Sequence, residues 1–531
     1  MFGKRPIVSS LKGMVVAAHP LASFAGARIL RDGGNAFDAA AATAAALNVC
    51  EPFMSGLAGL GMATCYLAGE KRVRSLDFIT RVPSEFDAAA CGKNDIFHGP
   101  LASAAPGSLA AWCKLVADYG TKTRAEVFAP AIELARDGFP VTDLMHAINA
   151  EWGELRRENE EWVRVYTDGA GGAVPQSGIL RQPDLARTYE AIVSEGPGYL
   201  YGGDLGRRMI EHLRSLGGRM TLADLEAVEP RWLDPITVAY RSLAVHSLPP
   251  PAESFQFLLT LRILDGFDLA ALVHDGVDHL DTVFRAIRLA AERRIRNNNK
   301  PVEEIEALLA DGPVAELRAR LRDPEPISGR AEQWAEVPSS ALALAREHTT
   351  SFSLADAGGN MVCVTQSLGS GYGSGVVIPG TGVCMNNFLN WGDLDPASPN
   401  HLRAGGPLAM CLAPSVSTAG GEPVLALGTP GSYGILQTQC QAMVHHLDFG
   451  LGLQDAIDAP RARLWDGTQV DVESRIDETV IEGLRRRGHD VRVVDPYTRV
   501  VGGMHGIRRD PDSGALTGGA DARRDGYAVA P

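Results

Sequence analysis

Three features of the sequence predict a mixed α/β fold. Residues 348–367 read as a β-hairpin: Phe352 and Leu354 alternate with smaller residues on one arm, and Met361 to Thr365 is rich in β-branched residues on the other. Asp356-Ala357-Gly358-Gly359-Asn360 is the turn between the arms. Residues 107 to 310 are mainly helical, and after Thr349 the texture changes to short strands and Gly/Pro turns. A chain of 531 residues with 45% hydrophobic and 21% charged residues suits two to four ordinary domains or one large α/β body.

Taken in order, Met14 to Ala18 reads as a strand, Ser23 to Leu30 as a helix and Gly33-Gly34 as a turn. Ala36 to Leu47 reads as an Ala-rich helix whose small side chains allow close packing on a sheet. Cys65 to Ala68 and Val73 to Phe78 read as hairpin strands around Gly69-Glu70. Ala125 to Arg136 is a helix stopped by Asp137-Gly138. Leu280 to Arg294 carries Val283, Ile287, Ala290 and Ala291 at helical spacing. Pro249-Pro250-Pro251 is a rigid break, and further helices are expected near 435–447 and 476–488.

The formal charge of −14, with no basic run interleaved with aromatics, argues against nucleic-acid binding. No apolar run reaches the length of a membrane span. The eight cysteines form no CxxC pair and read as buried free thiols of a reducing compartment. With no signal-type apolar core before the first strand, the chain reads as cytoplasmic.

Two threonines, Thr349 and Thr350, open the first arm of the hairpin. A threonine hydroxyl needs a base beside it to act as a nucleophile. One economical base is the residue's own α-amine, which titrates near pH ~7.7–8.0 if the chain is cut just before it. The same hydroxyl can make the cut by attacking the His348 carbonyl. Such chemistry requires a flexible, accessible segment ahead of the strand. Ser339 to His348 fits that role, although its periodicity equally allows a short helix.

The stretch Thr349-Thr350-Ser351-Phe352-Ser353, then Gly359-Asn360, then Val364-Thr365-Gln366-Ser367-Leu368, resembles the start of the small subunit of the γ-glutamyltransferase family. Further matches follow in order at Asp32 to Ala40, Ser55 to Gly61, Pro106 to Trp112, Pro430 to Gly434 and Gly519 to Gly526, so the resemblance spans essentially the whole chain. It implies a four-layer αββα sandwich of the N-terminal-nucleophile (Ntn) hydrolase type. It also implies a processing boundary at His348/Thr349 that gives a large subunit, 1–348, and a small subunit, 349–531, both building one catalytic body; an (αβ)2 assembly is compatible with the family. No cofactor and no metal are expected.

By the same resemblance Thr349 is the nucleophile and Ser367 stands where the family has a supporting threonine. Pro430-Gly431-Ser432 stands for a Pro-Gly-Gly turn whose backbone N–H groups form an oxyanion hole, with Ser432 replacing the second glycine. The substrate pocket departs from the family. Ile79 occupies the place of an arginine, with Arg81 two residues on and on the same face if the segment is a strand. Phe388 and Trp391 occupy the places of a glutamine and an aspartate, and Gly369 that of an asparagine. The paired carboxylate-binding serines are absent from Pro407 to Pro414. Thr350 completes the candidate substrate-binding set. With most of the polar amino-acid clamp missing, a standard γ-glutamyl substrate is expected to bind poorly, and the aromatics favour a flatter or more apolar acyl group.

Gly369-Ser370-Gly371-Tyr372-Gly373-Ser374-Gly375 is neither a P-loop nor GxGxxG and reads as a place where backbone passes close to substrate. His445-His446 and the pair His274, His279 lack metal-motif spacing and partners, and read as surface or helix-packing histidines. No GxSxG elbow is present. The leading expectation is a self-processing amidohydrolase acting on a non-glutamyl amide, as relatives acting on oxamate or cephalosporin side chains do. The alternatives are a γ-glutamyl hydrolase or transferase with a clamp rebuilt around Arg81, and a catalytically silent homologue that binds rather than cleaves.

Overall fold

The expected hairpin forms, and both of its arms are buried along their whole length: Thr350–Asp356 and Met361–Ser367 expose no residue. Thr350 lies opposite Gln366 and Ala355 opposite Met361. A computed structural model describes residues 5–169, 171–323, 325, 327, 329 and 348–531. Of the segment Ser339 to His348, only His348 is among them.

The strands of the two main sheets are β1 (Val8–Ser10), β2 (Gly13–Ala17), β3 (Leu60–Leu67), β4 (Arg72–Asp77), β5 (Arg231–Leu233), β6 (Ile236–Tyr240), β7 (Leu243–Ser247), β8 (Thr350–Asp356), β9 (Met361–Ser367), β10 (Ser415–Ala419), β11 (Glu422–Gly428), β12 (His505–Arg509), β13 (Leu516–Ala520) and β14 (Tyr527–Val529). One seven-stranded sheet has the order β14-β2-β8-β9-β3-β4-β5, the other β1-β13-β12-β11-β10-β7-β6. The helices that bear on the site are α1 (Pro20–Arg31), α2 (Ala36–Cys50), α3 (Arg124–Asp137), α4 (Asp143–Arg156), α5 (Phe255–Leu264), α6 (Val277–Arg296) and α7 (Ile435–Leu447).

Side-chain alternation along the strands sorts residues into layers. Val15, Ala17, Phe352, Leu354, Val362 and Val364 face outward and share a core with the alanines of α1 and α2. Met14, Val16, Ala355, Met361 and Cys363 face inward and meet Val416, Ala426 and Ile507 of the second sheet. The outer face of that sheet, with Val238, Val245, Leu425 and Leu427, packs on Phe257 and Leu258 of α5, Phe284 and Ile287 of α6, and Met443 of α7. The order is helix, sheet, sheet, helix.

α2 is buried at every position, and its start is fixed by polar contacts. The Asn35 side chain caps it, and Asp356 at the end of β8 accepts from Ala36 N at 2.9 Å. The buried Asp38 carboxylate accepts from the backbone N–H groups of Asn35 (3.0 Å), Thr121 (2.9 Å) and Lys122 (3.1 Å). α1, α2, α3 and α7 stand close to where the sequence places them, and Gly138 ends α3 with φ +87. The β6–β7 hairpin lies inside the region read as mainly helical, and β3 begins at Leu60 rather than Cys65. All eight cysteines are free, and all but Cys91 are buried. No helix among the described residues is long and apolar enough to cross a membrane.

Replacing Asp38 by Ala strips acceptors from three backbone donors at once. At about 0.5–1.5 kcal/mol for each hydrogen bond lost, Asp38→Ala is expected to lower the thermal midpoint by several degrees in a calorimetric scan, while an exposed substitution such as Asp137→Ala leaves it unchanged.

Candidate active site

The alternation that builds the layers also aims the site. Ser351 pairs with Thr365 and Thr350 with Gln366, so the next step places Thr349 opposite Ser367. Both belong to the inward-facing set of their strands, between the sheets. Thr349 and His348 are buried. With the 348–349 peptide bond intact, Thr349 Oγ1 lies 2.5 Å from the His348 carbonyl oxygen and 3.3 Å from Ser367 Oγ. Ser367 Oγ donates to the same carbonyl at 2.9 Å and accepts from Gly369 N at 2.8 Å. Both hydroxyls thus donate to one carbonyl oxygen, which keeps Thr349 Oγ1 beside the 348–349 peptide bond. The His348 ring stands edge-on to Trp152 of α4, with centroids 5.0 Å apart.

The end of β11 overlies the start of β8: a Cβ on Gly428 would fall 2.2 Å from Ser351 Oγ. The chain continues from there into Thr429, Pro430, Gly431 and Ser432. Gly431 has φ +121 and Ser432 φ +57, so Ser432 occupies the left-handed region, and its hydroxyl is buried without a hydrogen-bond partner among the described residues. The Gly431 carbonyl accepts from Arg463 Nη1 at 2.6 Å and from Gly434 N at 2.9 Å. The turn leads directly into α7, so the partial positive charge of that helix start adds to any anion-stabilising power of the turn. On the other side, Gly503 N donates to Thr429 Oγ1 at 3.3 Å and Met504 N to Asp521 Oδ2 at 2.8 Å. Asp521 is in turn bonded to Arg461 and Arg523. The motif Gly519 to Gly526 therefore braces the turn from beneath.

The remaining expected residues divide. Thr350 points to the opposite face from Thr349, toward α2, and is fully buried, which removes it from the substrate-facing set. Gly369 has φ +104, and a Cβ there would lie 2.2 Å from Asn387 Oδ1. Its role is to let Asn387 reach Ser370 N (2.8 Å) and Phe97 O (2.8 Å). Phe388 and Trp391 lie in the same apolar cluster as Met410 and Leu412. Trp391 nonetheless stands edge-on to Tyr433, the residue after Ser432, at 5.8 Å.

Ile79 and Arg81 do not share a strand face, because β4 ends at Asp77, whose side chain takes the Ile79 N–H at 2.9 Å. They nevertheless line one cavity of about 210 Å³ with Asp77, Arg231, Pro407 and Leu408. Arg81 is exposed and donates to Gly405 O at 3.0 Å, and Arg231 Nη2 lies 3.2 Å from Asp77 Oδ2. Three strand spacings separate this edge from Thr349, on the order of 14 Å.

Arg231 had no local signal in the sequence, and neither had Trp152 and Arg156. The Arg156 guanidinium is fully buried, 4.8 Å over the Trp152 ring, and donates to the carbonyls of Gly371 (2.9 Å) and Gly373 (2.6 Å). The glycines of that loop make room for protein: a Cβ on Gly371 would strike Trp152 and one on Gly375 would strike Arg156.

The solved structure of cephalosporin acylase from Bacillus halodurans superposes with a TM-score of 0.90 at 30% identity, covering 100% of this chain and 98% of that one. The four layers are those of an Ntn hydrolase. The family model described as Gamma-glutamyltranspeptidase matches residues 22–530, and the chain belongs to that family. It is 36% identical to the Acylase ACY 1 proenzyme of Pseudomonas sp. (strain SE83), over 99% of this chain and 95% of that one. It is 32% identical to the Glutathione hydrolase-like YwrD proenzyme of Bacillus subtilis (strain 168), over 98% and 99%. The protein is an enzyme of the amidohydrolase and acyltransferase kind.

Directly behind the head of β8 lies Glu51, which caps the end of α2. Burial pushes its carboxyl up from 4.5 to about 8, against the opposing pull of the Thr350 hydroxyl and Arg524. The folded chain therefore holds a proton that the unfolded chain releases, and between pH 4.5 and 8 this group's contribution to stability falls as pH rises. Glu51→Gln removes that slope. Its thermal midpoint relative to the unsubstituted protein is expected to climb from pH 5 to pH 8; a pH-independent difference would show that the carboxyl is ionised throughout.

Proposed function

We propose that Thr349 cleaves its own chain and then serves as the acyl-accepting nucleophile of an amidohydrolase. The reading rests on the placement of Thr349 Oγ1 at 2.5 Å from the His348 carbonyl oxygen, with Ser367 Oγ donating to that oxygen. Attack by Oγ1 on the carbonyl carbon, with breakage of the His348–Thr349 C–N bond and transfer of the hydroxyl proton to the departing nitrogen, gives an ester. Water then releases residues 1–348 from 349–531. The freed α-amine is the base for the next reaction. A substrate amide acylates Thr349, its amine leaves, and water or an amine takes the acyl group. The N–H groups of Gly431 and Ser432 meet the developing oxyanion, a contribution worth roughly 3–4 kcal/mol of barrier in such sites.

The acyl group is not a standard γ-glutamyl group. Ile79, Gly369, Phe388 and Trp391 offer neither the charges nor the amides that an α-amino acid head requires, and relatives named as acylases accord with this. The cavity between Arg81 and Arg231 suits the acidic end of an acyl chain, since a desolvated carboxylate needs a cation. A cephalosporin amide whose acyl chain ends in a carboxylate is the first substrate to test, with glutathione as the contrast.

Mass spectrometry of the purified protein is expected to give two chains, 1–348 and 349–531, and Thr349→Ala a single one. If the alanine variant still splits at 348/349, a host protease makes the cut and the mechanism is wrong; a wild-type chain that stays whole and turns over no amide would favour the silent homologue. Glutathione turnover near the ~10 per second typical of enzymes would restore the γ-glutamyl reading. Arg81→Lys is expected to raise KM for an acidic amide several-fold with processing intact, because lysine cannot copy the two-pronged grip of a guanidinium. Unchanged kinetics would remove Arg81 from the site.

A further inference from the structure

Far from Thr349, the fold gathers histidines that the sequence keeps apart. His274 and Asp275 precede α6, His279 lies in its first turn, and His445 lies near the end of α7. His274 Nε2 and His445 Nδ1 are 2.8 Å apart, and Asp275 Oδ2 is 3.6 Å from His274 Nδ1. One donor atom from each of His274, Asp275 and His445 lies within 4.8 Å of the other two. The expectation that these histidines lack partners therefore fails, because the contact joins residues 171 positions apart.

Two further observations point to a ligand. Asp275 Oδ1 is buried and has no hydrogen-bond partner among the described residues. His445 is 2% exposed, and its Nδ1 is turned toward His274 rather than toward solvent. The surroundings are those of a formed site: the His279 ring accepts the Asp275 N–H at 3.1 Å and, with Phe449, walls the cluster. His274 is partly open to solvent, which leaves an entry path and room for a water as fourth ligand.

We propose that His274, Asp275 and His445 form a zinc site. Two imidazoles and one carboxylate are a Zn²⁺ donor set, and tetrahedral Zn–N bonds of ~2.0–2.1 Å set donor atoms about 3.3 Å apart. On the Nε2 side of His274 the two rings separate by about half an ångström from their present contact, and the Asp275 carboxylate, which now faces His274 Nδ1, turns to meet the ion. The ion displaces the proton they now share, which passes to the other ring nitrogen or to solvent. The site is not part of the active centre: His445 lies about 15 Å along α7 from its first residue, Ile435. It joins residues from either side of the 348/349 bond. If that bond is cut as proposed above, the metal clips the two resulting chains together through the helix that the Pro430-Gly431-Ser432 turn opens.

The test is equilibrium dialysis of the EDTA-stripped full-length protein against ZnCl2, with the metal counted by mass spectrometry. One Zn²⁺ per chain is expected, with affinity lowered about tenfold or more in His274→Ala. Because that ring is half-open, the variant is expected to fold, and an unchanged circular dichroism spectrum checks this. Co²⁺ loading should give the visible absorption band of a tetrahedral site, and His445→Gln should abolish it. No saturable binding, or binding unaltered in both variants, overturns the proposal. Uncleaved Thr349→Ala protein is measured in parallel: zinc bound there with the same stoichiometry separates the metal site from the processing reaction, and zinc that fails to raise the urea concentration separating the two chains of cleaved protein removes the clip.

Discussion

The register of β8 is the constraint on which the site depends. A strand buried on both faces has two distinct addresses, and each successive residue goes to the other one. Thr349, Ser351 and Ser353 belong to the gap between the sheets, while Thr350, Phe352 and Leu354 belong to the layer of α2. A slip of one residue would send the hydroxyl of Thr349 toward Glu51 and the alanines of α2, away from Ser367. The neighbours forbid that slip. β8 is paired with β2 on one side and β9 on the other, and Asp356 at its end is fastened to the start of α2. A threonine proposed to act as a nucleophile gains a fixed aim from standing at the head of such a strand.

The opposing wall of the site is held by charge rather than by sheet pairing. Arg461, Arg523, Asp521 and Glu473 are all buried, and they meet in one network. Burial alone would raise the Asp521 carboxyl, but the guanidinium groups of Arg461 and Arg523 outweigh it and hold it well below the usual carboxylate range. Desolvating so many charges is costly, and an apolar cluster of equal volume would be as stable or more so. What the network supplies is position. Asp521 accepts the Met504 N–H while the Gly503 N–H donates to Thr429 Oγ1, and the strained Gly431-Ser432 pair follows.

Much of this was legible in the sequence where the signal was local. The β8–β9 hairpin followed from alternation and a glycine turn, and α2 from its run of small residues. The motifs from Asp32 to Gly526 anticipated the four layers. Features made by distant residues were not legible. Ile79 and Arg81 looked like one strand face because nothing in the chain announces that Asp77 turns its side chain back to end β4. The Arg156–Trp152 pair beneath the glycine loop, Arg231 at the Arg81 cavity and the His274–His445 contact all depend on tertiary packing across 150 or more positions. The loop 369–375 read as backbone passing close to a substrate, whereas at Gly371 and Gly375 the backbone passes close to Trp152 and Arg156 of α4.

The same coupling explains why the departures from the family pattern hang together. At Gly369, the position that the resemblance equates with an asparagine, the backbone is left-handed and Asn387 Oδ1 fills the space a side chain would need. Asn387 is itself committed to Ser370 and Phe97, and Phe388 after it is committed to the apolar cluster around Met410. An asparagine restored at 369 would therefore have to displace a buried amide that satisfies a backbone N–H and a carbonyl. If the polar clamp is lost as proposed, the loss belongs to the packed loop 369–391 as a whole, and an asparagine at 369 alone would not rebuild it.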